Sequence, residues 1–74
     1  MRETVAPVQS FGEFVKSARL RLSLTQNDVA EKVGVNQGYI SRVEVGEREP
    51  TLTVALKLCE VLGLDINDFA KNYL

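Results

Sequence analysis

The chain has 74 residues, room for one domain that buries only about 60% of its unfolded surface. Hydrophobic residues make up 45% and charged residues 26%, an ordinary globular balance, and no apolar run approaches membrane-spanning length. The net charge of −1 weighs mildly against nucleic-acid binding.

Residues 1–9 read as a mixed, extended arm containing Pro7. Without a basic segment followed by an apolar one, this start does not read as a signal peptide. Ser10-Phe11-Gly12-Glu13 is an S-x-x-E capping box that opens a first helix to about Leu22, with Phe11, Val15, Ala18 and Leu22 on one stripe. Thr25-Gln26-Asn27-Asp28 resembles a second box, with Asp in place of Glu. It opens a helix to about Val33 that buries Val29, Ala30 and Val33. Gly34 stands where a left-handed helix terminus wants it. Asn36 caps a third helix, ending near Gly46, with Ile40 and Val43 inward. Pro50-Thr51 caps a fourth, with Leu52, Ala55, Leu58, Cys59 and Leu62 inward and Gly63 at its end. Asp65 caps a short fifth helix through Phe69, or on to the C-terminus. Apolar spacings are three and four nearly everywhere, so no strand is expected. The single Cys59 cannot form an internal disulfide and reads as a small buried hydrophobe.

Residues 25–45 hold two short amphipathic helices joined by a three- or four-residue corner, and the second opens with side chains able to read base edges. Thr25-Gln26, Val29-Ala30, Gly34-Val35, Ile40-Ser41, Val43-Glu44, Gly46, Arg48, Pro50-Thr51, Leu62-Gly63 and Phe69 together resemble the Cro/C1-type, or XRE, family of phage-repressor-like helix-turn-helix domains. The similarity covers roughly residues 10–70. It implies an all-α fold: a compact five-helix lambda-repressor-like DNA-binding domain over residues 10–74, preceded by the arm.

The residues agree with that expectation. Gln37 is the first residue of the third helix, and its amide can bond both N7 and N6 of adenine; the alternative is a solvated surface side chain. Arg42 lies about 140° further around the helix. It suits either guanine O6 and N7 or a phosphate. The resemblance places both on the groove-facing surface and puts Ser41 near DNA, although Ser41 can equally bond back to its own helix. Gly38 brings no side chain, only close approach. Tyr39 either bonds a phosphate or packs on the rim. Gln26 begins the second helix, where free N–H groups and the dipole favour a phosphate, and the resemblance implies that it anchors one. Asn36 and Arg48 are further phosphate candidates, though Glu47 and Glu49 flank Arg48. The resemblance pairs Arg19 with Glu44 as a partly buried structural ion pair.

Charge is distributed in the right sense. Residues 1–46 carry six basic and five acidic side chains, and residues 47–74 three and five. Phe14, Leu20, Leu22 and Val45 are apolar in surplus of the family core, and suggest an extra packed element or an interface rather than scattered surface residues. Leu64, Ile66, Tyr73 and Leu74 form a candidate dimer face. No catalytic set, metal-ligand cluster or phosphate loop is present, so no enzyme activity, metal or cofactor is expected. The reading is a sequence-specific, cytoplasmic regulator of transcription, a repressor or controller. It binds an operator in double-stranded DNA, as a homodimer on a near-palindromic site, with RNA polymerase or a cognate protein as a further partner. The alternative is an antitoxin or other interaction module on the same fold.

Overall fold

Each helix opens on a side chain that accepts a hydrogen bond from its own first turn. In the computed structural model, which describes residues 10–73, Ser10 Oγ accepts from Glu13 N–H at 3.2 Å ahead of α1 (Phe11–Arg21). Thr25 Oγ1 accepts from Asp28 N–H at 2.9 Å ahead of α2 (Gln26–Val33). The Asp28 carboxylate accepts in return from Thr25 N–H at 2.9 Å, so this box is complete. Asn36 Oδ1 accepts from Tyr39 N–H at 2.8 Å ahead of α3 (Gln37–Glu44). Thr51 Oγ1 does the same for Val54 N–H at 3.2 Å ahead of α4 (Leu52–Leu62), and Asp65 Oδ1 for Asn67 N–H at 2.9 Å at the start of α5 (Ile66–Tyr73). Such caps satisfy N–H groups that the helix itself leaves unpaired. The expected arm, residues 1–9, lies outside the described residues, as do Leu74 and the side chain of Tyr73.

Gly34 closes α2 in the left-handed region, at φ 92°, and its N–H and that of Val35 both reach the Ala30 carbonyl. A side chain there would be strained, so glycine makes the tight reversal that sends the chain into α3.

Four helices supply one core: Val15 and Ala18 from α1, Val29, Ala30 and Val33 from α2, Ile40 from α3, and Leu58 and Leu62 from α4. These positions follow the three-and-four spacing of the sequence. Truncating a fully buried member such as Ile40 or Leu58 to alanine costs about 2–5 kcal/mol. α5 docks through an aromatic trio. The Phe69 ring stands edge-on to Phe11 at 5.3 Å between centroids and 5.6 Å from Phe14. Phe14 thus packs against Phe11 of α1 and Phe69 of α5 rather than standing alone at the surface.

At Gly12 the backbone of α1 meets the end of α3 directly. A Cβ built there would lie 2.0 Å from the Val43 carbonyl oxygen and 2.8 Å from that of Glu44. No side chain fits without moving main chain.

Two residues assigned inward are corrected. Leu22 is 49% exposed and Leu52 is 73% exposed. Leu22 is the C-cap of α1, where helical direction ends; Ser23 then turns the chain at φ 59° and Leu24 takes the place against the core. Leu52 is the first residue of α4, ahead of the turn in which Val54 reaches the core. Leu20 and Val45 are also exposed, whereas Leu64 packs against the core.

Candidate nucleic-acid interface

The corner Gly34-Val35-Asn36 brings the first residue of α2 beside the first residue of α3. There a line of side chains runs from the interior to the surface. Arg19 Nε donates to Glu44 Oε2 at 2.7 Å and Arg19 Nη2 donates to Glu44 Oε1 at 3.0 Å, a two-pronged ion pair whose carboxylate side chain is 1% exposed. Arg19 Nη1 donates to the Leu24 carbonyl at 2.9 Å. The guanidinium is held charged: its hydrogen bond to Glu44 raises its pKa above the ordinary value, against the opposing effect of burial. α1 and α3 are thereby joined by charge as well as by the Gly12 contact.

The same carboxylate orients an amide. Gln26 Nε2 donates to Glu44 Oε1 at 3.0 Å, and Gln26 Oε1 accepts from Gln37 Nε2 at 2.5 Å. A carboxylate can only accept, so Gln26 must give it the nitrogen and present its oxygen outward. That oxygen then takes one of Gln37's two N–H groups. Gln37 keeps its other N–H and its carbonyl oxygen for a ligand. An open groove borders the line, running from Leu20 past Thr25, Gln26 and Asn27 to Gln37.

At about 100° per residue, the buried Ile40, Val43 and Glu44 define the inner side of α3. Gly38, Ser41, Arg42 and Val45 then form its outer face, between Gln37 on the edge next to α2 and Tyr39 on the other edge. Arg42 and Val45 are exposed, and Gly38 and Ser41 partly so. A Cβ at Gly38 would meet only Asn36 Oδ1, at 3.4 Å, so the folded chain does not need glycine there. Asn36 spends its oxygen on the Tyr39 cap, leaving its amide N–H groups without a partner among the described residues. Arg48 lies over the Tyr39 ring, 5.1 Å from its centroid.

The structure therefore gathers Gln26, Asn36, Gln37, Gly38, Ser41, Arg42, Tyr39 and Arg48 around one helix, with Arg19 and Glu44 behind it. The sequence reading missed three features: Gln26 as a bridge to Glu44, the Tyr39–Arg48 stack, and Val45 on the outer face. That Gln26 and Gln37 each begin a helix was visible in the caps; that the two helix starts meet was not.

The helix-turn-helix family profile matches residues 15–69. The chain belongs to the Cro/C1-type helix-turn-helix family. It is 37% identical over 54 residues to the HTH-type transcriptional regulator MJ0272 of Methanocaldococcus jannaschii, covering 73% of this chain and 82% of that one. Its fold matches the P22 c2 repressor, solved with synthetic operator 9T, with a TM-score of 0.74 and 32% identity over 77% of this chain and 86% of that one. It also matches the restriction-modification controller protein C.AhdI of Aeromonas hydrophila, with a TM-score of 0.73 and 29% identity over 78% and 84%.

The fold of this helix-turn-helix protein is thus all-α and lambda-repressor-like, with five helices and no strand among the described residues. α2 and α3 are joined by residues 34–36. The family's members are DNA-binding transcriptional regulators, not enzymes. Among the described residues no helix is long and apolar enough to cross a membrane, and no group of three His, Cys, Asp or Glu side chains could hold a metal. Cys59 is buried, and burial, with the charge of Asp65 adding, pushes its thiol pKa up, away from the reactive thiolate.

Proposed function

We propose that this helix-turn-helix protein is a sequence-specific regulator of transcription that lays the outer face of α3 in the major groove of double-stranded DNA. The observation that carries the reading is the line Arg19–Glu44–Gln26–Gln37, which fixes a base-reading amide before any ligand arrives. With one N–H and one oxygen free, Gln37 matches adenine N7 and N6; guanine offers only acceptors at the same edge. Arg42 takes guanine or a phosphate, and Ser41 and Gly38 allow close approach. Gln26 on one edge, Arg48 against the Tyr39 ring on the other, and Asn36 at the helix start meet the sugar–phosphate backbone and set register. Few basic side chains take part, so the salt dependence is shallow for a DNA-binding protein.

The protein acts as a homodimer in the cytoplasm, a repressor or controller on a near-palindromic operator, with its two α3 helices about 34 Å apart. The operator in the P22 c2 structure supports the DNA reading for a relative of this fold.

Selection of bound duplexes from a random pool, at near-physiological ionic strength, tests the proposal. An enriched inverted repeat with adenine at one position of each half-site is the expected product. Folded protein that retains all duplexes equally, or none, would overturn it, and a strictly monomeric mass with and without DNA would overturn the dimer.

A further inference from the structure

The loop after α3 does not leave the helix; it folds back on it. Gly46 N–H donates to the Val43 carbonyl at 3.2 Å, and Glu47 and Arg48 N–H both donate to the Arg42 carbonyl, at 2.8 and 3.1 Å. Arg48 is thus tied by its backbone to the last turn of α3 and by its guanidinium to the ring of Tyr39, within the distance at which a cation is attracted to an aromatic face. Tyr39 is itself partly buried and packed against the core, so the platform is firm.

Glu47 and Glu49 stand on either side of Arg48 in sequence, yet among the described residues neither forms an ion pair with it. The difference matters chemically. An ion pair would consume N–H donors and cancel the charge. A ring attracts the cation but uses none of its hydrogen-bond donors, all of which remain for an anion.

Resting on the DNA reading above, we propose that Tyr39 is a positioning residue for Arg48, its ring holding the guanidinium at the outer edge of α3 to grip the sugar–phosphate backbone. The two edges of the reading helix are then built alike. Gln26 steadies Gln37 on one side, and Tyr39 steadies Arg48 on the other. The contribution of Tyr39 lies in its ring, not in its hydroxyl.

The test measures affinity of the full chain for its selected operator across a salt series, for wild type, Tyr39→Phe, Tyr39→Leu, Arg48→Gln and the Tyr39→Leu/Arg48→Gln double variant. Arg48→Gln should weaken binding to all sequences and lower the salt slope by about one per half-site, about two for the dimer. Tyr39→Leu should weaken binding about two- to fivefold per half-site, the worth of one exposed cation–ring contact. It should add nothing to Arg48→Gln, while Tyr39→Phe stays within about twofold of wild type. Losses that multiply in the double variant, or a Tyr39→Phe loss equal to that of Tyr39→Leu, would overturn the proposal. A readout without DNA guards against a misfolded variant. In the free wild-type protein the Arg48 side-chain protons should show upfield ring-current shifts, and their absence would equally overturn it. Failure of the wild type to select any operator would strike the DNA reading, while those shifts report the stack independently.

Discussion

Gln37 reaches its working position through Gln26: the two amides meet at 2.5 Å, and the polarity of that bond is dictated by Glu44 beneath it. The side chain proposed to read bases and the one proposed to anchor the backbone are thus bonded into one unit. Gln37→Ala should cost about 1–3 kcal/mol of operator binding and relax preference at one position per half-site. The sequence alone suggests that Gln26→Ala weakens binding to all duplexes alike. Because Gln26 also orients Gln37, we expect it to broaden preference at that same position as well. Repeating the duplex selection with each variant checks both outcomes.

Loss of either partner of the Arg19–Glu44 pair should destabilise the fold by roughly 3–5 kcal/mol, since the survivor is left charged and buried. Denaturant unfolding of Arg19→Ala, Glu44→Ala and the double variant measures this, and the double variant should lose far less than the sum of the two.

Gly38 separates stability from function. Alanine fits the space, so Gly38→Ala should raise fold stability by up to about 1 kcal/mol through better helix propensity. The added methyl group lies on the outer face of α3, where it should weaken operator binding. A higher unfolding midpoint together with a poorer dissociation constant is the expected pair of results.

Asp28 gives a pH signature. Its pKa is lowered, first by the Thr25 backbone N–H and then by the Thr25 hydroxyl. A group with a depressed folded-state pKa stabilises the protein above its unfolded value, and that stabilisation is lost as pH falls through the folded value. The α2 cap should therefore weaken below about pH 4, and Asp28→Asn should flatten that part of the stability profile. Unfolding midpoints of both proteins over an acid series provide the measurement.

Much of the fold was legible because its signals are local. Ser10, Thr25, Asn36 and Thr51 each sit three residues before the N–H they accept from, and such spacing is readable without a structure. Val15, Val29, Ile40 and Leu58 follow the helical period. Leu22 and Leu52 mislead because each lies at a helix end, where periodicity continues on paper and the helix does not. At the site, the residue types on α3 were readable. The bonds of Gln26 and the seat of Arg48 were not, for they depend on how helices cross and on where a loop returns, and neither is written in spacing.

The meeting of α1 and α3 at Gly12 is main chain against main chain. Together with the Arg19–Glu44 clamp, it fixes the tilt of the reader from behind, without help from Gly38, Ser41, Arg42 or Val45. The alphabet and the hand that holds it are separate parts. Under the proposed DNA reading, those four positions can be rewritten to address a different operator while the pose of the helix stays as it is.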